Sequence, residues 1–159
     1  MKRMSSLAYH FGLKVRFYPS SKQKKIIKLN YDAQRFVYNS YVGRNRNNYR
    51  AKGYLAVRQY QVMPFAFSVL NNYETKLAEE VVANNELLAK PKNIRDAYSF
   101  LRVKEIDSLA IANAIQNYQK AWNNYRKLGH GIPTFHKKRS DWSYQTNCQS
   151  VSYTHLTLP

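Results

Sequence analysis

Leu13-Lys-Val-Arg-Phe-Tyr-Pro-Ser-Ser-Lys-Gln-Lys-Lys-Ile-Ile27, running on to Arg35-Phe-Val-Tyr-Asn-Ser-Tyr41, decides how this chain is read. Leu13, Val15 and Phe17 alternate with Lys14, Arg16 and Tyr18, the period-2 pattern of a half-buried strand. One face of that strand is apolar and the other offers two cations and a phenol. Pro19 ends the pairing, because it has no N–H to give to a ladder. Ser20 and Gln23 have capping-box spacing, so a helix is expected from Ser21. Ile26, Leu29, Ala33, Phe36/Val37 and Ser40/Tyr41 recur at helical spacing, and Lys22, Lys25, Lys28 and Arg35 lie mostly off that stripe. A cationic face beside tyrosines suits a nucleic-acid backbone with bases stacked nearby.

Working outward, the same helix is expected to carry Arg44, Arg46, Arg50 and Lys52 and to stop at Gly53, a natural C-terminal cap. Residues 54–62 read as a linker. Pro64 is placed to open a second helix through Glu80, residues 84–93 read as a polar loop, and residues 95–103 as a short helical turn. The clearest helix follows. Asp107 or Ser108 caps it, Ile111, Ile115, Tyr118, Trp122 and Tyr125 form one apolar face, and Gly129 and Gly131 end it. Residues 132–147 return to an extended pattern, with Trp142 and Tyr144 on one side.

The charge is lopsided. The 159 residues hold 26 Lys/Arg against 9 Asp/Glu, a net charge of +17 that points to a polyanionic partner. Residues 1–52 hold 13 of the bases and one acid, Asp32, for a net +12, whereas residues 53–103 hold 6 bases and 5 acids. A basic first third beside a near-neutral middle implies one nucleic-acid face and a separate structural insert. The lone Cys148 excludes an intramolecular disulfide and suits a cytosolic protein. The sequence contains neither a run of 18 apolar residues nor a signal-peptide core, so neither a transmembrane helix nor a membrane partner is expected.

Two separated runs carry a resemblance. The first is Phe17-Tyr-Pro, Gln23 and Arg35-Phe-Val-Tyr-Asn39. The second is Ala114-Ile-Gln-Asn-Tyr-Gln-Lys-Ala-Trp122, then Gly131-Ile-Pro-Thr-Phe-His-Lys-Lys-Arg139 and Ser143-Tyr144. In this order they resemble the amino-terminal part of the TnpB (OrfB) proteins of insertion sequences, RNA-guided DNA nucleases related to type V CRISPR effectors. The resemblance covers residues 10 to 150.

It implies an α+β fold, with a mostly helical recognition insert (20–129) flanked by strands of an incomplete wedge-type β-barrel (1–19 and 130–150). It implies a guide RNA and target double-stranded DNA as partners. It also implies that a short target-adjacent motif is read partly by the helix holding Ser108, Leu109 and Ala112 and by the strand after Tyr144.

The residues expected to touch nucleic acid are Lys14, Arg16, Tyr18, Lys22, Lys25, Arg35, Tyr38, Asn39, Arg44, Arg46, Arg50, Ser108, Lys137, Lys138, Arg139 and Tyr144. Lys137-Lys-Arg139 is the densest charge run, and it follows Phe135 as a phosphate-gripping loop would.

Metal-dependent nuclease chemistry needs two or three gathered carboxylates. The acids here stand alone or as the pair Glu79-Glu80, which reads as solvated charge or caps. Cys148, His130 and His136 have no zinc-ligand spacing, and no Ser-His-Asp, Cys-His or phosphate-cradling glycine motif is present. The chain itself is therefore expected to be neither an enzyme nor a holder of cofactors. In the family, the RuvC-like carboxylates with their magnesium and the zinc ribbon lie in the C-terminal half.

The last nine residues, Val151-Ser-Tyr-Thr-His-Leu-Thr-Leu-Pro159, carry no Lys, Arg, Asp or Glu. They resemble a translated sequencing adapter, so the expectation is a non-native tail and a protein that continues past Ser150. The rival reading is a free-standing basic DNA- or RNA-binding adaptor, such as a helix-turn-helix regulator. That motif needs a turn of three or four residues between helices, and the linkers expected at 53–63 and 81–94 are longer.

Overall fold

The computed structural model describes residues 18–62, 71–138 and 144, and of residues 57–62 only the backbone. The longest element, α1 (Ser21–Val62), has 42 residues and is about 63 Å long at 1.5 Å per residue. It starts where the capping box places it. Ser20 N–H donates to Gln23 Oε1 at 2.8 Å, and Gln23 N–H donates to Ser20 Oγ at 3.3 Å.

The helix does not stop at Gly53, and the linker expected at 54–62 is its last turns. Glycine costs only about 1 kcal/mol against alanine inside a helix. Tertiary contacts on both sides of it offset that cost. Ala51 is buried, and Tyr54 meets Tyr73 edge to face at 6.0 Å.

Helix α2 (Asn72–Ala89) begins with a second reciprocal capping box, between Asn71 and Glu74. Pro64, expected to open it, lies outside the described residues. The loop expected at 84–93 is instead the end of α2 and the start of α3 (Pro91–Ala97), which Pro91 opens at its first position. A 3-10 turn (Ser99–Arg102) follows, as the short helical turn expected there. Helix α4 (Ser108–Leu128) is capped by Asp107, whose carboxylate accepts from Leu109 N–H at 2.9 Å, and ends at Gly129, at φ 66°. That left-handed backbone favours glycine.

The α+β expectation is overturned. Among the described residues every regular element is helical, and residues 129–138 are irregular. Most of the expected 1–19 strand and of residues 139–150 lies outside the described residues.

The helices have a definite order around α1. Asn30 reaches Glu105 and Asp107, Gln34 reaches Ala110, and Tyr41 packs on Tyr118, so α4 runs parallel to α1 with an almost constant offset. Tyr54 meets Tyr73, Asn48 meets Asn84, and Tyr41 meets Leu88, so α2 runs antiparallel to α1. Helices α2 and α3 are thus the crossover that two parallel helices require.

The core lies mainly between the first half of α1 and α4. It contains Ala33, Val37, Tyr38, Tyr41, Val42, Ile94, Leu101, Ile106, Ile111, Ala114, Ile115 and Tyr118. Phe36, Leu88, Tyr98 and Trp122 pack against it.

Candidate nucleic-acid interface

After Gly129 the chain turns back and runs along α1 as an irregular strap, residues 130–138, antiparallel to the helix. Arg46 Nη2 donates to Pro133 O at 3.2 Å, and its guanidinium lies 5.2 Å from the Phe135 ring centre. A Cβ placed on Gly43 would be 3.5 Å from that ring, an ordinary contact, so Phe135 lies close over the helix backbone. Tyr31 OH donates to Lys137 O at 3.4 Å.

Asn39 makes the tightest attachment. Its Nδ2 donates to His136 O at 3.0 Å, and its Oδ1 accepts from His136 N–H at 2.8 Å. Its amide thus does for His136 what a neighbouring strand's peptide would do, one rung of a ladder supplied by a side chain. The imidazole of His136 stacks on Tyr38 at 3.8 Å with 10° between the planes. The two sequence runs that carry the resemblance, around Arg35–Asn39 and from Gly131 on, therefore pack against each other in space as far as residue 138.

This packing explains the irregular strap. The extended pattern expected after Gly131 calls for polar pairing of the backbone, and Asn39 provides it at His136. Burial follows the same seam. It raises the pKa of Tyr38 and of Tyr41 above the usual tyrosine value, with Tyr118 adding to the effect. Tyr118 is raised by burial too, partly offset by Trp122 and Arg46.

The expected contact residues divide into three groups. Tyr18, Lys22, Lys25, Arg50, Ser108, Lys137 and Lys138 are exposed. Lys22 and Lys25 stand on the first turns of α1, and Tyr31 brings Lys137 beside the helix about two turns later. Arg35 lies between Tyr31 and Asn39 on that edge and pairs with Asp32 at 3.4 Å. Arg50 is at the other end of α1, on a groove of about 290 Å³ shared with Asn47, Tyr54 and Tyr73.

A second group is turned to internal use. Tyr38 is buried beneath the strap and Asn39 clamps it. Arg46 is half-buried against Pro133 and Phe135, and Arg44 is bound between Asn84 and the Tyr98 hydroxyl, the latter at 2.8 Å. Tyr144 is half-buried, and burial together with the Asp107 charge raises its pKa. The third group, Lys14, Arg16 and Arg139, lies outside the described residues.

Sequence reasoning missed two polar hubs. Asn30, nearly fully buried, donates to Ile26 O and Glu105 O and accepts from Asp107 N–H, which ties α1 to the start of α4. Asn48 and Asn84, also buried, bond to each other at 3.0 Å, and Asn48 reaches Asn85 at the same distance. An asparagine at helical spacing between apolar neighbours was the available signal, and it reads equally well as a loop. No group of three metal-ligating side chains occurs among the described residues. None of the described helices is long and apolar enough to cross a membrane.

Residues 8–53 match the family model for the helix-turn-helix domain of the OrfB proteins of IS605-type elements. The first third of the chain is thus similar to a helix-turn-helix domain, a kind of domain that binds DNA. Within the match, the residues from Ser21 onward form one unbroken helix. Nothing among curated proteins or solved structures matches the chain.

Proposed function

We propose, from the premise of an OrfB helix-turn-helix domain, that this chain is the nucleic-acid-gripping part of an RNA-guided DNA endonuclease encoded by an insertion sequence. It holds guide RNA and target DNA by their backbones. In such a complex base pairing supplies most of the sequence discrimination, and the protein holds duplex shape and phosphate. The observation that carries the reading is that Tyr31 pins the strap with Lys137 and Lys138 beside the basic first turns of α1, where Lys24 and Lys28 lie two turns and one turn before it on the same side of the helix. Their only joint chemistry is attraction for a polyanion.

The protein acts in the cytoplasm, at the nucleoid when bound to DNA. No catalytic step is assigned to this chain, and the magnesium- and zinc-dependent chemistry of the family is assigned to residues other than these. With magnesium or manganese present, the chain is expected to leave supercoiled plasmid intact. Nicking abolished by substitution of one of its acids would contradict that.

Duplex binding followed against salt tests the grip. Neutralising several phosphates should cost roughly a thousandfold in affinity between 50 and 200 mM salt, and a flat titration rejects it. The RNA half has its own test, sequencing of the RNA that co-purifies with the chain expressed beside its flanking locus. One discrete, protected species is expected, and a random population of cellular RNA rejects it.

A further inference from the structure

We infer that Asn39 is a positioning residue for a two-phosphate grip made by Lys137 and Lys138, an inference that rests on the backbone-binding reading above. The lysines themselves are exposed and belong to a segment without regular structure. A lysine on such a segment contributes little to binding unless something fixes where its ammonium group sits, because ordering a long side chain and its backbone costs conformational entropy.

In this chain the ordering is supplied in advance. Asn39 holds both backbone polar groups of His136, the residue just before Lys137. Tyr31 holds the carbonyl of Lys137 itself, and Tyr38 holds the His136 ring face to face. Three residues spaced along one side of α1 thus fix the register of the strap at the point where its cations begin. The helix contributes Lys28 one turn before Tyr31 on the same side, and one turn after it Arg35, whose charge is shared with Asp32. The resulting ledge presents cations from two segments at a spacing set by a rigid helix, which fits the evenly spaced phosphates of a nucleic-acid strand.

None of the three holding residues needs to touch the ligand. Without them the two lysines are expected to stay unordered in solvent rather than contact their phosphates, so the signature lies in the salt dependence. Each lost phosphate contact lowers the slope of log K against log salt by about 0.9 on duplex DNA.

The experiment measures duplex binding by fluorescence anisotropy across a salt series for four proteins: the parent, Asn39→Ala, the Lys137→Ala/Lys138→Ala double variant, and all three changes together. Asn39→Ala is expected to lower the slope by nearly as much as the double variant, about 1.8 for two phosphates. The triple variant is expected to match the double one. A residue with a purely structural role would lower the melting temperature and leave the slope intact, and that result overturns the inference.

If Asn39→Ala melts far below the parent, Tyr31→Phe takes its place, since it removes only the hydroxyl on the Lys137 carbonyl. A slope reduced by about one contact supports the inference, and an unchanged slope overturns it. A parent protein whose binding ignores salt would instead overturn the backbone-binding reading, so the two failures are distinguishable.

Discussion

The first and second halves of α1 are held by different chemistry. From Ala33 to Val42 the helix buries Ala33, Val37 and Val42 with Tyr38 and Tyr41 against α4, in a seam completed by Ile111, Ala114, Ile115 and Tyr118. From Arg44 to Ala51 it faces α2 across Asn48, Asn84, Asn85 and the Arg44 guanidinium. The first seam is non-directional and draws its strength from area removed from water. The second depends on directional hydrogen bonds whose net worth is about 1 kcal/mol each, but whose loss leaves buried groups unsatisfied. One helix therefore has a strong, tolerant half and a weak, exacting one. Tyr41 belongs to both, with its ring on Tyr118 and its hydroxyl donating to Leu88 O at 2.9 Å.

The largest effect expected is in the apolar seam. Ile111→Ala removes a side chain that is 1% exposed and should cost about 2–5 kcal/mol, read as a shifted denaturant midpoint. A cost below 1 kcal/mol would place the core elsewhere.

Asn48→Ala should cost about 1–3 kcal/mol, because the buried Asn84 amide loses the acceptor it donates to. Hydrogen exchange should then show α2 opening ahead of α4. Simultaneous opening of both would mean that the two seams are one cooperative unit.

Alkali should act on the apolar seam. Tyr38, Tyr41 and Tyr118 hold their protons to higher pH folded than unfolded. Their contribution is therefore fully present below the ordinary tyrosine pKa of 10.0 and is lost as pH rises through the elevated folded values. Phenolate absorbance should show a late group of tyrosines ionising together with unfolding. A single transition at the free-tyrosine value, with the fold intact, contradicts this.

The smallest effect is a gain. A Cβ on Gly53 meets nothing within 4 Å, so Gly53→Ala should stabilise by about 0.5–1 kcal/mol and slow exchange in the last turns of α1. Loss of stability there would show that the glycine serves a contact.

What could be read from the sequence follows the same division. Helix α4 was legible because its apolar residues keep one period and glycine ends it, and the start of α1 because Ser20 and Gln23 cap it. Apolar burial writes a periodic pattern, and capping writes a local one. The turns of α1 from Gly53 on and the end of α2 from Asn84 on were misread because they hold a glycine and asparagines, residues whose local preference is to end helices or form turns. Tertiary partners override that preference, and the partner of Asn84 lies 36 residues away.

The same reason covers the site. Tyr38, Asn39, Arg44 and Arg46 have the composition of a nucleic-acid surface, but they hold the strap and α2 in place. Only the contacts, from segments up to 97 residues away, distinguish a residue that binds from one that positions.

The parallel course of α1 and α4, followed by the returning strap, has a topological consequence. The described chain enters at Tyr18 and, after more than a hundred residues, comes back to Tyr31 at Lys137, about 15 Å along the helix from where α1 began. Entry and exit are neighbours at one end, while the polar seam with α2 lies toward the other. A unit with that geometry is a handle. Neighbouring ends of that kind let both flanking segments leave the helical unit on one side, without being forced apart by its length.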